Sequence, residues 1–298
     1  MSFSSSVKEE LCRAEVHKRC CALAESCGVL LYCNTFSAEQ IRIVTESADF
    51  AIRLPRLFRR AFSLEFDILP EPNTNGKNAF VINDPEKIAA VFSAIGSEPG
   101  NSVALHINYA LLENDCCRIA FLRGAFLAGG SVTDPEKRYH LELATSHIKV
   151  SREAFSLLLD LGFLPKDTVR NGSSILYFKQ SDYIEDFLTF LGAPVSAMGV
   201  MEAKLEKDMK NNINRIVNCD NANTSKVVEA AQAQIAAIRI LKTRGLYDTL
   251  PEKLRQTAEL RLQNPEANLA ELAELSDPSI TKSAVNHRLR KLVELSKE

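Results

Sequence analysis

One stretch near the C-terminus, residues 279–295, carries side chains that can read nucleic-acid bases. Its apolar residues recur at four- and three-residue spacing, as on one face of an amphipathic helix: Val285, Leu289 and Leu292. The other face combines hydroxyl, amide, imidazole and cationic groups, and the predicted DNA contacts are Thr281, Lys282, Ser283, Asn286, His287, Arg288, Arg290 and Lys291. Asn and Arg can form paired hydrogen bonds to adenine and guanine in the major groove of DNA. The alternative is a basic terminal helix that contacts only solvent.

A second short element must position this helix. A short helix is predicted at residues 269–275, before a turn that contains Asp277 and Pro278. This helix, the turn and the helix at 279–295 form a predicted helix-turn-helix. Thr281 or Ser283 can cap the second helix. Residues 252–277 hold six acidic and three basic residues, whereas residues 278–298 hold five basic and two acidic ones. Positive charge is therefore concentrated on the segment predicted to contact DNA.

The bulk composition limits the classes of protein that remain. The chain has 298 residues and a formal net charge of −2, so any binding to nucleic acid must come from local patches. Its length is sufficient for two domains. We find no signal peptide and no apolar run of membrane-spanning length, which predicts a cytoplasmic protein with no membrane partner.

The cysteines give no sequence signature of a metal site. There are eight, none in a C-x-x-C motif, and the five histidines do not cluster with them. We therefore predict no metal, no cofactor and reduced thiols. The adjacent pairs Cys20–Cys21 and Cys116–Cys117 are predicted to fill space on or near helices.

Residues 1–193 contain an internal duplication. The segment 81–96 aligns with 177–192 without a gap, and the first helices are predicted to align as 21–28 with 123–130. A helix is predicted at 4–19, and each half is then predicted to contain a helix, strands, a helix, a hairpin and a helix. The hairpins are predicted at 64–68 and 79–82, around a loop at 70–76, and at 163–169 and 174–178, around residues 170–172. In the first half, the helix is predicted to end at Gly28 and a strand to follow at 29–33. Two such repeats, at about 17–96 and 115–192, predict a pseudo-two-fold α+β domain.

The pattern changes to a helical linker at residues 194–247. Helices are predicted at 198–216 and 227–243, on either side of an Asn-rich segment at 211–226. That segment offers four possible additional DNA contacts: Arg215, Asn218, Asn223 and Lys226. The alternative is that its Asn residues only cap and turn helices. Residues 248–298 then form a predicted small all-α helix-turn-helix domain.

Three segments carry a resemblance to a known family. FLRGAFLAGGSVTDPEKRYHLEL (121–143) resembles the LAGLIDADG motif of homing endonucleases, in which two such helices pack closely through small residues, here Ala22, Ala24, Gly124 and Ala128. Together with NRIVNCDNANTSK (214–226) and SITKSAVNHRLRKL (279–292), it resembles the WhiA family of bacterial regulators.

This resemblance implies both a fold and a function. The fold is a degenerate duplicated LAGLIDADG-like domain, a linker and a helix-turn-helix similar to that of sigma factors. The function is sequence-specific binding to promoter DNA, acting in transcription, cell division and sporulation, and in association with the nucleoid. A sigma factor or a second transcription regulator is a further candidate partner.

The sequence departs from the nuclease pattern where the chemistry would occur. A LAGLIDADG nuclease has an acidic residue just before the closing glycine of each motif helix, and these two acids bind Mg²⁺. The matching positions are predicted to be Cys27 and Gly129, which are not Mg²⁺ ligands. Glu25 lies two residues earlier, with only Leu127 opposite, so we predict no nuclease activity.

Two alternatives remain open at this point. One is a protein-interaction scaffold tethered to DNA, and the less favoured one is an active metal-dependent endonuclease of the homing type. Basic residues of the first domain are candidates for contacts with the DNA backbone or with protein: Arg42, Arg53, Arg59, Arg60, Lys137, Arg138 and Lys149.

Overall fold

The computed structural model describes residues 2–16, 18–70, 76–97 and 105–297. They form two compact units, Met1–Lys207 and Asp208–Glu298. The first unit mixes helices with two antiparallel sheets, and the second is entirely helical in its described residues. This confirms the predicted fold class.

The first unit begins with two helices and a three-stranded sheet. Its first half contains α1 Phe3–Arg13, α2 Arg19–Tyr32, β1 Thr35–Phe36, β2 Ile41–Thr45, α3 Ala48–Phe62, β3 Asn78–Ile82 and α4 Pro85–Ile95. The strand order is β1-β2-β3, with Ile41 paired to Ile82. Asp84 caps α4 through its carboxylate, as the Asp-Pro pair predicts.

After a short 3₁₀ turn at Tyr109–Leu112, the second half repeats the order from α2 onward, with one additional strand, β6. It contains α5 Asp115–Gly129, β4 Gly130–Val132, β5 Leu141–Thr145, α6 Ile148–Asp160, β6 Lys166–Arg170, β7 Ser173–Phe178 and α7 Ser181–Leu191. The strand order is β4-β5-β7-β6. Since β5 pairs with β7 as β2 pairs with β3, and α4 and α7 both end at a left-handed glycine, the predicted match of 81–96 with 177–192 is confirmed.

Helices α2 and α5 pack against each other at the centre of the first unit. A Cβ atom added at Gly28 would overlap the carbonyl oxygen of Phe121, and one added at Gly124 would overlap that of Glu25. These reciprocal contacts require glycine on both helices. They pair Gly28 with Gly124, the same 96-residue offset that relates Gly96 to Gly192, so the predicted alignment of 21–28 with 123–130 is wrong.

The predicted end of the first motif helix is also wrong. Helix α2 runs through Gly28 to Tyr32, so residues 29–33 are not a strand. The glycine serves close packing rather than termination, and the apolar residues after it are buried between the two halves. The hydroxyl of Thr145 donates a 2.7 Å hydrogen bond to the carbonyl of Leu31 near the helix end.

The structure also bears on four smaller predictions. Helix α1 ends at Arg13 rather than at residue 19. The predicted strand 64–68 makes only a bridge, between Ile68 and Val81. The loop predicted between it and β3 lies partly outside the described residues, since 71–75 are not described. The hairpin around residues 170–172 is confirmed, with Asn171 and Gly172 both in left-handed conformation.

A single helix, α8, runs from Pro194 to Thr243. The Asn-rich segment 211–226 is helical throughout, so the alternative that its Asn residues cap or turn helices is wrong. All residues from 208 to 230 are exposed. Burial within the second unit begins at Ala231.

The second unit packs three short helices onto the last turns of α8. They are α9 Glu252–Gln263, α10 Leu269–Glu274 and α11 Lys282–Leu295. A small cluster forms the core: Ile238, Leu241, Tyr247, Ala258, Leu272, Ala273, Val285, Leu289 and Leu292. Among the described residues, no helix combines the length and apolar character needed to cross a membrane.

Candidate nucleic-acid interface

Helix α11 is anchored by the predicted apolar stripe. Val285 and Leu289 are fully buried and Leu292 is 1% exposed. Thr281 is the N-cap, since its hydroxyl oxygen accepts a 3.2 Å hydrogen bond from the backbone N–H of Ala284. Of the two predicted capping residues, the first is therefore confirmed. The stripe and the cap together fix which flank of α11 faces solvent.

The solvent-facing flank carries most of the predicted contact residues. Seven of them are exposed: Thr281, Lys282, Ser283, Asn286, His287, Arg290 and Lys291. Ser283, Asn286 and Arg290 recur at three- and four-residue spacing and share one side of the helix. The first turn contains no acidic residue, so the positive end of the helix dipole and Lys282 both favour a negatively charged ligand.

Two predicted contacts have partners inside the unit. Arg288 is half-buried, and its Nη1 donates a 3.4 Å hydrogen bond to the Thr257 hydroxyl on α9. The Lys291 ammonium lies 3.5 Å from the Glu294 carboxylate in an exposed pair, which contributes little energy. Arg288 thus docks α11 onto α9, whereas Lys291 is free to exchange its partner.

Helix α10 is fixed by a capping box that our sequence reasoning missed. The Asn268 side-chain oxygen accepts hydrogen bonds from the N–H groups of Ala270 and Glu271, at 2.8 and 3.1 Å. In return, the Glu271 carboxylate accepts a 2.8 Å hydrogen bond from the N–H of Asn268. The Asn-x-x-Glu spacing was the available signal. This cap makes α10 a rigid support for α11.

The four additional candidates lie on the exposed part of α8. Arg215, Asn218, Asn223 and Lys226 are all exposed. At 100° per residue they fall within about 140° of the helix circumference, so one side of α8 presents two cations and two amides. The structure thus gives these four residues a common face.

The ends of the central helix pair lack acidic residues. Because Gly28 pairs with Gly124, the residue that matches Gly129 is Cys33, the C-cap of α2, and not the predicted Cys27. The Cys33 thiol donates to the carbonyls of Leu30 and Thr35 at 3.1 and 3.2 Å. Burial raises the pKa of Cys33 to about 12, so this position holds a neutral thiol.

Glu25 is committed to a buried ion pair. The side chain is fully buried, and its two carboxylate oxygens accept 2.6 and 2.9 Å hydrogen bonds from the Arg53 guanidinium. Arg123 lies 3.6 Å away on α5. Arg53 was a candidate for contacts with the DNA backbone or with protein, but its side chain is only 10% exposed and is paired with Glu25. Both charges serve the interior of the first unit.

Comparison with known proteins gives consistent matches along the chain. Residues 118–210 match the family model of the WhiA LAGLIDADG-like domain, and residues 213–296 match that of the WhiA C-terminal HTH domain. A probable cell division protein WhiA of Ruminiclostridium cellulolyticum is 41% identical, over 99% of this chain and 97% of the relative. The protein of the same description in Heliobacterium modesticaldum is 39% identical, over 99% and 96%.

Two solved structures share the architecture. Full-length DUF199/WhiA from Thermatoga maritima superimposes with a TM-score of 0.61 at 24% identity, covering 100% of this chain and 98% of that one. The N-terminal LAGLIDADG domain of DUF199/WhiA gives a TM-score of 0.51 at 23% identity, over 64% of this chain and 90% of that one. These similarities concern the fold.

Proposed function

This chain belongs to the WhiA family, and from that premise we propose that it is a sequence-specific DNA-binding regulator of transcription. The relatives are described as probable cell division proteins, and the proposed targets are the promoters of cell-division and sporulation genes. The proposed site of action is the nucleoid, in the cytoplasm. A sigma factor or a second transcription regulator is the proposed protein partner.

One observation carries the DNA-binding proposal. Helix α11 buries one flank completely and presents Ser283, Asn286, His287 and Arg290 on the other. Asn286 and Arg290 are the types that form paired hydrogen bonds with adenine and guanine. Lys282 and Lys291 are suited to contact phosphates on either side of these bases. The 215–226 face of α8, with its two cations, is a proposed additional contact.

The first unit is proposed to have no nuclease activity. Mg²⁺ requires oxygen ligands, and the paired helix ends offer a neutral thiol at Cys33 and no side chain at Gly129. Glu25, the acid that an endonuclease hypothesis would use, is fully buried and paired with two arginines. Neither half therefore supplies a carboxylate to the position where the chemistry would occur.

The proposal is tested by mapping genomic DNA bound by the full chain in cells. Enrichment at a defined set of promoters, lost on substitution of Asn286 and Arg290 by Ala, is expected. Binding spread evenly over the chromosome, or unchanged by the double substitution, would favour the alternative of a scaffold tethered to DNA. In parallel, supercoiled plasmid incubated with Mg²⁺ or Mn²⁺ should stay uncut.

A further inference from the structure

Two adjacent pairs of cysteines lie in the first turns of the central helix pair. Helix α2 begins with Arg19, Cys20 and Cys21, and α5 with Asp115, Cys116 and Cys117. The 96-residue offset fixed by the two packing glycines makes Cys20 equivalent to Cys116, and Cys21 to Cys117. Because the helices pack along their length, the first turns of both helices also come together. The two halves thus bring one adjacent pair of thiols each to the same end.

The sulfur atoms are close enough to share an ion. The Sγ atoms of Cys20, Cys21 and Cys117 all lie within 4.8 Å of one another. A triangle of that side has its centre about 2.8 Å from each corner, and a Zn–S bond is about 2.3 Å long. Side-chain movements of about 0.5 Å would therefore bring three sulfurs to bonding distance. Cys116 lies outside that set of three, but it adjoins Cys117 in the first turn of α5 and neighbours Cys21, so it is the candidate for a fourth ligand.

The surroundings combine access with a fixed scaffold. Cys20 is exposed, Cys21 and Cys116 are half-buried, and Cys117 is buried. An ion can reach the cluster from solvent, while the buried thiol and the two helices hold the arrangement. Neither helix N-terminus has a side-chain cap, so their positive ends act directly on the sulfurs and stabilise thiolates.

We propose that Cys20, Cys21, Cys116 and Cys117 form a thiolate site for a soft divalent metal ion, with Zn²⁺ as the ion of that class. Each thiol that binds the ion releases its proton to solvent, and no oxidant or reductant takes part. Since each half contributes two ligands, the ion would join the two repeats at the end of the helix pair opposite Cys33 and Gly129. Its role is to hold α2 against α5.

The sequence prediction that these cysteines fill space on helices stays untested, and their spacing did not show that the two pairs come together. The usual signature places two ligands on one turn, in the C-x-x-C spacing. In this chain the ligands are adjacent pairs on two helices, separated by one full repeat. The signal was available in the coincidence between the 96-residue repeat offset and the spacing of the pairs.

The test uses the purified, fully reduced full chain titrated with Zn²⁺ against a chromophoric chelator, and with Co²⁺ as a spectroscopic probe. One tightly bound ion per chain and the visible absorption of Co²⁺ in tetrahedral thiolate coordination are expected. Cys20 is exposed, so Cys20→Ser should leave the fold intact. This substitution should weaken Zn²⁺ binding more than about tenfold. Cys116→Ser should remove the tetrathiolate spectrum.

The matched control is Cys219→Ser, because Cys219 is an exposed thiol on α8 outside the cluster. That variant should bind Zn²⁺ as the unmodified chain does. Three results would overturn the proposal: no stoichiometric binding by the reduced chain, binding unaffected by Cys20→Ser and Cys116→Ser together, or equal loss in the Cys219→Ser control. DNA binding is measured separately, so failure here leaves the proposed function intact.

Discussion

Substitution of Glu25 by Gln separates a structural role of this acid from a catalytic one. The change keeps the shape of the side chain but removes the negative charge that compensates Arg53 and Arg123, whose side chains are 10% and 12% exposed. Removing one partner of a buried ion pair costs about 3–5 kcal/mol of stability. Since Gln retains one oxygen as an acceptor for Arg53, we expect the lower limit, about 3 kcal/mol.

This loss is measured by scanning calorimetry of the full chain. For a unit of about 200 residues, 3 kcal/mol corresponds to a fall of about 6–12 °C in Tm of the first unit's transition. The matched control is Glu65→Gln, since Glu65 pairs with Arg59 at the surface, where both side chains are more than two-thirds exposed. That variant should unfold at nearly the same temperature. An unchanged Tm for Glu25→Gln, together with the loss of a metal-dependent nicking activity, would refute the structural assignment.

Three further substitutions test other parts of the account. Gly28→Ala places a Cβ against the Phe121 carbonyl and should destabilise the first unit by about 3 kcal/mol; a wild-type Tm would show that α2 and α5 can separate at no cost. Leu289→Ala should destabilise the second unit by about 2–5 kcal/mol in denaturant unfolding, and a change below 1 kcal/mol would contradict the packing of α11. Lys282→Ala should weaken binding to all duplexes alike and lower the salt slope by about one ion; a loss restricted to one sequence would contradict a phosphate contact.

The second unit was largely predictable because its signals are local. The apolar spacing of α11 and the hydroxyl of Thr281 both act within one or two turns, and the structure confirms both. The orientation of Arg288 was not predictable in the same way. Its partner, Thr257, is 31 residues away on a helix whose packing depends on the whole small core.

The first unit shows where local signals mislead. Gly28 looks like a helix stop, because glycine often follows the last turn of a helix. Here it lies inside α2, and its role is to let the backbone of α5 approach closely, as Gly124 does in the other repeat. Because of that error, Cys27 instead of Cys33 was matched to Gly129. The same error left the cysteine pairs of the two helices out of register with each other. The conclusion that the helix ends lack an acid is unchanged, since Cys27, Cys33 and Gly129 carry no carboxylate.

The measurement that tests the central claim most directly is the specificity ratio of the full chain: its affinity for a mapped promoter fragment divided by its affinity for an unrelated duplex, at one fixed salt concentration. Asn286→Ala and Arg290→Ala should each lower this ratio roughly 5- to 150-fold, which corresponds to a loss of about 1–3 kcal/mol in the free energy of specific binding. Lys282→Ala should lower both affinities and leave the ratio unchanged. A ratio that both base-reading variants preserve would contradict readout by α11.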